Sequence, residues 1–403
     1  VDCRQFKKIS KRTFKSMISY GKQTIDQSDI DSVTDTLKSD WLTQGPTIER
    51  FEKKLNNIFG SKYACTVSNG TAALHLTAIA MGWDSNDIIL TTPLSFLATS
   101  NCIEYVGART QFCDISLNSY NIDPNQIIKT IELIHKQGNK IKGIIAVDYA
   151  GHPCDWKTLR DIADKYELQL INDNCHSMGA EYNKDKKYAV YFADAVTHSY
   201  HPVKHITCGE GGSILTNNKN LHNKIIQLRS HGITKNKKMD SDIFPPWYYE
   251  MHSLGYNYRL TDIQCALGIS QLSKLNDFIV SRKKIARRYK EGFMNCELIR
   301  IPPSPSYISH SYHLYPILID FEKTNIDKIK FFYKMREKNI ALQVHYIPIH
   351  FQPYYQNKYG FKQGDYPNAE YYYSKTISLP IYPSLKKFEQ DKVIDLVLKF
   401  INE

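Results

Sequence analysis

Apolar and polar positions alternate with two periods along this chain, and the two periods take turns. From about Ile25 the spacing Ile30, Val33, Leu37 predicts a helix. The turn-rich string Trp41-Leu42-Thr43-Gln44-Gly45-Pro46 follows, then a second helix over Thr47–Phe59. Next, short apolar runs predict strands at Tyr63–Val67, Asp87–Thr91, Thr110–Cys113, Ile141–Val147, Leu168–Ile171, Ala195–Ser199 and Gly212–Leu215. Helical spacing predicts helices at Thr71–Met81, Ser95–Tyr105 and Asp155–Tyr166, the last with Leu159, Ile162 and Ala163 on one face. Strands that alternate with helices of this length imply a mostly parallel sheet covered on both faces.

After about Leu260 the pattern changes. Helical stretches are expected at Thr261–Leu275 and Phe278–Phe293, before a proline-rich stretch at Pro302, Pro303 and Pro305. The remainder mixes expected strands (His313–Ile319, Leu342–His345) with expected helices (Asp327–Lys338, Leu385–Phe400). The reading is an α/β protein with three parts. Residues 1–18 form a basic arm, 19–265 a large domain with the mostly parallel sheet, and 266–403 a smaller α+β domain. The arm has no clear period and reads as a loosely ordered terminus or a targeting segment.

Composition narrows the classes. The 403 residues are 42% apolar and 23% charged, enough to bury a large core without disulfides or metals. No run approaches the roughly 18 apolar residues of a membrane span. The net charge of +11 favours an anionic substrate, but the basic residues are scattered, with denser clusters only at Arg4–Lys15 and Lys235–Lys238. No zinc-finger spacing or aromatic RNA-binding strand accompanies them, so no nucleic-acid partner is expected. Nine cysteines, with no Cys-x-x-Cys, read as reduced thiols in a cytoplasmic protein, and no metal site is expected.

Three places carry candidate chemistry. At Ser68-Asn69-Gly70-Thr71 a strand ends, a glycine follows and a helix begins. Free backbone N–H groups there suit a phosphate, and the same string serves as a plain helix cap. Asp173 follows the apolar strand ending at Ile171, where open α/β sheets gather ligands. It could face a cation or a protonated ring nitrogen, or cap a loop. Lys204 lies between the strand ending at Ser199 and the turn Gly209-Glu210-Gly211-Gly212. A lysine at the strand ends is either a surface residue or, once desolvated, a Schiff-base nucleophile.

These strings together resemble a known family. VSNGTAALHL (67–76), TTPLSFLATSN (91–101), VDYAG (147–151), NDNCHSMGAEY (172–182), HSYHPVKHITCGEGG (198–212), LRSHGI (228–233) and LGYNYRLTDIQCALG (254–268) are similar to the DegT/DnrJ/EryC1/StrS sugar aminotransferases. The resemblance runs over roughly residues 19–403. It implies a fold-type I pyridoxal phosphate enzyme that acts on a nucleotide-linked keto sugar, with L-glutamate as amino donor and a homodimer that shares its active sites. YGKQ (20–23), WLTQGP (41–46), PWYYE (246–250), HLYPI (313–317) and VHYIPIH (344–350) resemble the subgroup of the pseudaminic-acid pathway, which aminates C4 of a UDP-linked 4-keto-6-deoxy N-acetyl sugar. A dTDP- or GDP-linked sugar is the alternative.

The resemblance also implies roles. Lys204 matches the lysine that carries the cofactor, and Asp173 the partner of its pyridine nitrogen. His176 falls near the ring and its 3′-oxygen, and Phe96 matches the aromatic stacked on the ring. Gly70, Thr71 and Ser199 match the phosphate site, which Asn257 reaches from the neighbouring subunit. His231, Arg259, His345 and Tyr346 fall in motifs near the substrate. Lys204 speaks against the family's 3-dehydrases, which carry histidine there; His205 is one position off. The intact set Lys204, Asp173 and Ser199 speaks against a non-catalytic basic binder on the same scaffold. Three departures stand out: Asn172 replaces a common acid, His198 a common aromatic, and Asn69 a common serine.

Overall fold

The fold is that of a computed structural model, which describes residues 17–234 and 244–403. Most of the expected basic arm and the cluster at Lys235–Lys238 lie outside the described residues. A seven-stranded sheet organises the first part, in the spatial order Tyr63–Val67, Gly212–Thr216, Ala195–Ser199, Gln169–Asp173, Ile141–Val147, Ile88–Thr91, Arg109–Phe112. Only Gly212–Thr216 runs against its neighbours; the other pairings are parallel. Parallel strands need both faces covered. The helices Pro46–Phe59 and Trp156–Lys165 pack with the cluster of Phe51, Leu55, Trp156 and Leu159, while Gly70–Ala80 and Ala98–Tyr105 cover the other face through Leu74, Cys102 and Ile103.

Register decides where the chemistry gathers. Val67 pairs with Gly212, Gly212 with Ser199, Thr197 with Asp173, and Asp173 with Val147. Five strand termini, four carboxyl ends and the start of Gly212–Thr216, therefore meet at one end of the sheet. Gly212 makes the approach possible, since a Cβ there would lie 2.5 Å from the Asn69 carbonyl oxygen.

The long helix Leu275–Phe293 links this sheet to a second core. Its first turns, at Leu275 and Ile279, belong to the first core. Its later residues Ile285, Tyr289 and Phe293 belong to the second, built on the antiparallel strands Ile299–Arg300, Tyr315–Ile319 and Thr376–Leu379. The expected division at residue 265 falls inside the helix Asp262–Ser273, whose Cys265 and Leu272 pack with the first core. Ile18, the end of the expected arm, is itself buried in the second core and bridges Ile340.

Two expectations differ from the structure. Leu342–His345 is not a strand; Gln343 makes a single bridge to Ser378, and the chain then turns His345 and Tyr346 into a cavity. The helices Pro124–Lys136, Lys219–Arg229, Pro353–Tyr359 and Pro367–Lys375 have no counterpart in the pattern reading. Eight of the cysteines are described, and all are free thiols.

Candidate active site

A cavity of about 1170 Å³ opens over the strand ends. Gly70, Thr71, Phe96, Asp173, His176, Ser199, Lys204, His345 and Tyr346 all line it. His231, Asn257 and Arg259 do not. His231 and Asn257 are exposed, on neighbouring segments joined by the bridge Ser230–Asn257.

One corner gathers groups with the chemistry to take an anion. Asn69 caps the helix Gly70–Ala80, its side chain accepting from the Ala72 amide at 2.8 Å. This explains the asparagine: its side chain is committed to the helix and leaves the next groups free. The amides of Gly70 and Thr71 have no acceptor among the described residues. Gly70 faces the end of the strand Ala195–Ser199, where a Cβ would stand 2.8 Å from the Ser199 Cβ. Bare backbone, a hydroxyl and the positive end of a helix thus converge.

Lys204 follows a tight turn, its amide donating to the His201 carbonyl at 2.8 Å. Burial pushes its ammonium below the usual lysine range, opposed by Cys175 and Asp173. That favours the free amine a nucleophile requires. Asp173 ends its strand almost fully buried. The Thr99 hydroxyl donates to its Oδ2 at 2.7 Å, and the Cys175 amide approaches its Oδ1 at 3.3 Å. Among the described residues no ion pair within 4.0 Å joins Asp173 to Lys204.

Opposite Lys204 stand neutral imidazoles. The Ala150 amide donates to His176 Nδ1 at 3.4 Å, so the ring proton sits on Nε2, 3.1 Å from the Tyr346 hydroxyl. Burial, then Lys204, hold His176 well below the usual histidine range. His345 is pushed down to about 3 by the same two causes, and its Nδ1 lies 2.9 Å from the Ser378 hydroxyl. Phe96 stands at the rim, more than half exposed, its ring centre 6.0 Å from that of Tyr346.

The other two departures have structural reasons. Asn172 donates to Asp148 Oδ2 at 3.1 Å, and both residues are fully buried. An acid at 172 would set two carboxylates against each other without water. Asp148 is already saturated, accepting from the Cys154 amide, Trp156 Nε1, Asn172, Asn174 and the Tyr188 hydroxyl. His198 lies in the core against Phe59, at 4.9 Å between ring centres, and not in the cavity.

Sequence reasoning missed part of the wall. His75 packs edge-on to Tyr105 and Tyr256, with ring centres at 5.2 and 5.0 Å, and Tyr258 completes this aromatic side of the cavity. The four-residue step from Thr71 to His75 puts both on one helix face, a signal that was present. His313 also lines the cavity, its ring 4.4 Å from that of His176. Its backbone is fixed by the buried Arg282, whose guanidinium donates to the carbonyls of Tyr312, His313 and Ile381 at 3.1, 3.2 and 3.0 Å.

Known proteins share this architecture. The pattern of the DegT/DnrJ/EryC1/StrS aminotransferase family matches residues 23–398. The UDP-4-amino-4,6-dideoxy-N-acetyl-beta-L-altrosamine transaminase of Campylobacter jejuni is 38% identical over 387 residues, covering 95% of this chain and 98% of that protein. The structure of Helicobacter pylori PseC, an aminotransferase involved in the biosynthesis of pseudoaminic acid, superimposes with a TM-score of 0.86 at 32% identity, over 96% of this chain and 99% of that one. The PMP-form of a putative sugar aminotransferase, Spr1654 from Streptococcus pneumoniae, reaches 0.85 at 26% identity, over 94% and 98%. Matched almost throughout by sequence and by fold, this chain belongs to the DegT/DnrJ/EryC1/StrS aminotransferase family.

Proposed function

We propose that this aminotransferase moves the amino group of L-glutamate to C4 of a UDP-linked 4-keto-6-deoxy N-acetyl sugar. The observation that carries the chemistry is the meeting of Lys204, Asp173 and the Gly70–Ser199 corner on one cavity. The substrate class is supported by the relatives in Campylobacter and Helicobacter.

The cofactor of this aminotransferase is pyridoxal phosphate, and the residues fit it. The phosphate suits the corner where the Gly70 and Thr71 amides lack acceptors and where a side chain at 70 would fill the space against Ser199. Asp173 would offer a carboxylate to the ring nitrogen, and Phe96 an aromatic face to the ring. When bound, the cofactor supplies an electron sink and a carrier for the amino group.

The chain's own residues do the rest. Lys204, its ammonium held below the usual lysine range by burial, would hold the cofactor covalently. Its Nζ would be the base that takes the proton from the donor's α-carbon and the acid that gives it back. The keto sugar reverses the sequence. Tyr346 accepts from His176 Nε2, so its own proton points elsewhere, available to a substrate oxygen. His205 does not line the cavity, and its Nε2 faces the Ser311 carbonyl at 3.3 Å, which gives the 3-dehydrase reading no support.

A second copy of the chain completes the site in this reading. Asn257 is exposed and does not line its own cavity, and Leu254 and Met251 in the same segment are exposed too. It would reach the phosphate of the neighbouring subunit. His231 and Arg259, also off the cavity, join that surface. Among the described residues no helix is long and apolar enough to cross a membrane.

The test is an absorbance spectrum of the purified holoenzyme. L-glutamate should convert a band near ~410–430 nm to one near ~330 nm, and a UDP-linked 4-keto sugar should restore it. A spectrum indifferent to glutamate and every other amino donor refutes the reaction. Restoration by dTDP- or GDP-linked sugars alone refutes the nucleotide.

A further inference from the structure

Behind Asp173 lies a short line of buried hydroxyls. The Ser95 and Thr99 oxygens are 2.7 Å apart, and the Thr99 oxygen is 2.7 Å from Asp173 Oδ2. All three side chains are at most 5% exposed, and all three residues border the cavity. The direction of the line is fixed by chemistry. A carboxylate only accepts, so the Thr99 proton goes to Asp173. The Ser95 proton must then go to Thr99, whose own is spent. The result is a directed relay, Ser95 to Thr99 to Asp173.

The two carboxylate oxygens are therefore not equivalent. Oδ2 carries a short charge-assisted bond inside a buried site. Oδ1 carries one backbone contact at 3.3 Å, so its acceptor capacity is largely free. Without a tether, an aspartate sharing a cavity with Lys204 would be drawn to that ammonium whenever it was charged. Asp173 favours the charged form of Lys204, yet the two form no ion pair within 4.0 Å among the described residues. Thr99 is well placed to hold the carboxylate off. It sits in the first turn of the helix Ala98–Tyr105, with its amide bonded to the Phe96 carbonyl at 3.3 Å and its side chain fully enclosed.

We propose that Thr99 is a positioning residue for the cofactor: its hydroxyl, itself held by Ser95, pins Oδ2 of Asp173 so that Oδ1 faces the pyridine nitrogen. The proposal rests on the reading of Asp173 given above, and deepens it. Thr99 acts through Asp173, although it borders the cavity itself. It acts by fixing which oxygen is offered and at what angle, and so by keeping the ring nitrogen protonated.

The experiment uses the full-length holoenzyme and four variants: Thr99→Val, Thr99→Ser, Ser95→Ala and Asp173→Asn. Two quantities are measured, the dissociation constant of pyridoxal phosphate by equilibrium dialysis and the ¹⁵N resonance of ring-labelled cofactor. Valine keeps the shape of threonine and removes the donor. Thr99→Val should weaken cofactor binding about tenfold, the size of one charge-assisted hydrogen bond, and move the resonance toward the unprotonated position. Thr99→Ser, which restores the hydroxyl, should stay within about twofold, and Ser95→Ala should fall between, at about threefold. A packing role alone would leave the resonance in place. Wild-type values for Thr99→Val, with Asp173→Asn shifted, overturn the relay and leave the reading of Asp173 standing. Wild-type values for Asp173→Asn overturn both. If Thr99→Val does not fold, Ser95→Ala decides, and wild-type values there overturn the proposal.

Discussion

Gly70→Ala sets two effects of opposite sign against each other. Gly70 opens a helix, and alanine is the better helix former by up to about 1 kcal/mol. Helix propensity alone therefore says that the variant gains stability. The contact geometry says otherwise. A Cβ at 70 meets the Ser199 Cβ at 2.8 Å, its Oγ at 3.3 Å and its Cα at 3.5 Å. Two of those atoms do not move when the serine side chain rotates. Ser199 is also paired to Gly212, so the strand cannot simply retreat. Relief must come from a shift of the helix start relative to the strand end, and overpacking of this kind costs about 1–3 kcal/mol. Against a propensity gain of up to about 1 kcal/mol, the apoprotein should lose no more than about 3 kcal/mol.

The larger effect falls on the cofactor. The same shift pulls the Gly70 and Thr71 amides and the Ser199 hydroxyl out of their common focus. Each donor lost to a doubly charged phosphate removes about 1.5–3 kcal/mol, so one lost donor raises the dissociation constant roughly 10- to 100-fold. The assay is a titration of apoprotein with pyridoxal phosphate, run beside urea unfolding of apo and holo forms. At fixed free cofactor, the holo form should lose that same binding energy on top of the apo loss. A Gly70→Ala protein that folds and binds the cofactor within about twofold of wild type refutes the assignment of this corner to phosphate.

Three further outcomes are expected. Borohydride reduction of the holoenzyme should leave a cofactor adduct on the peptide containing Lys204; Lys204→Ala should lose the adduct and at least about 10³-fold of activity. Mixing Lys204→Ala with Asn257→Ala subunits should restore activity neither parent has, because one site of the hybrid dimer then has Lys204 from one chain and Asn257 from the other; no recovery on mixing refutes the shared site. Acid should destabilise the protein before carboxylates titrate. His345 is pushed down to about 3 when folded and titrates near 6.5 when unfolded, so the unfolded state takes up the proton first as pH falls. Its contribution is complete above pH ~6.5 and is lost going down toward about 3, at about 1.4 kcal/mol per pH unit. His345→Gln should flatten urea midpoints between pH 8 and 5 by one proton's worth, and an unchanged slope refutes the burial argument.

What was legible in the sequence follows from the range of the interactions involved. The strands of the sheet are apolar on both faces, so runs such as Ile141–Val147 declare themselves locally. The anion corner was legible for the same reason: a strand end, a cap and a glycine are neighbours in the chain, and the helix dipole follows from them. The helix Pro124–Lys136 has Asp123 as its cap, a proline at its start and Ile127, Ile131 and Ile134 on its buried face, so its signal was present and overlooked. The Leu342–His345 segment misled because alternation predicts a strand only where a partner is available, and here one bridge to Ser378 is all that forms.

The site itself divides along the same line. The family motifs carry single residues to the cavity, but a hydrogen bond between motifs has no local signature. His176 takes its tautomer from the amide of Ala150 and its orientation from Tyr346, 170 positions away. Asp173 is tied by Thr99, 74 positions away. No spacing rule connects such pairs, because the connection is made by register: the strand ends must first line up before these donors and acceptors can meet. The motifs thus name the candidate side chains, while the sheet decides which donor and acceptor each of them meets.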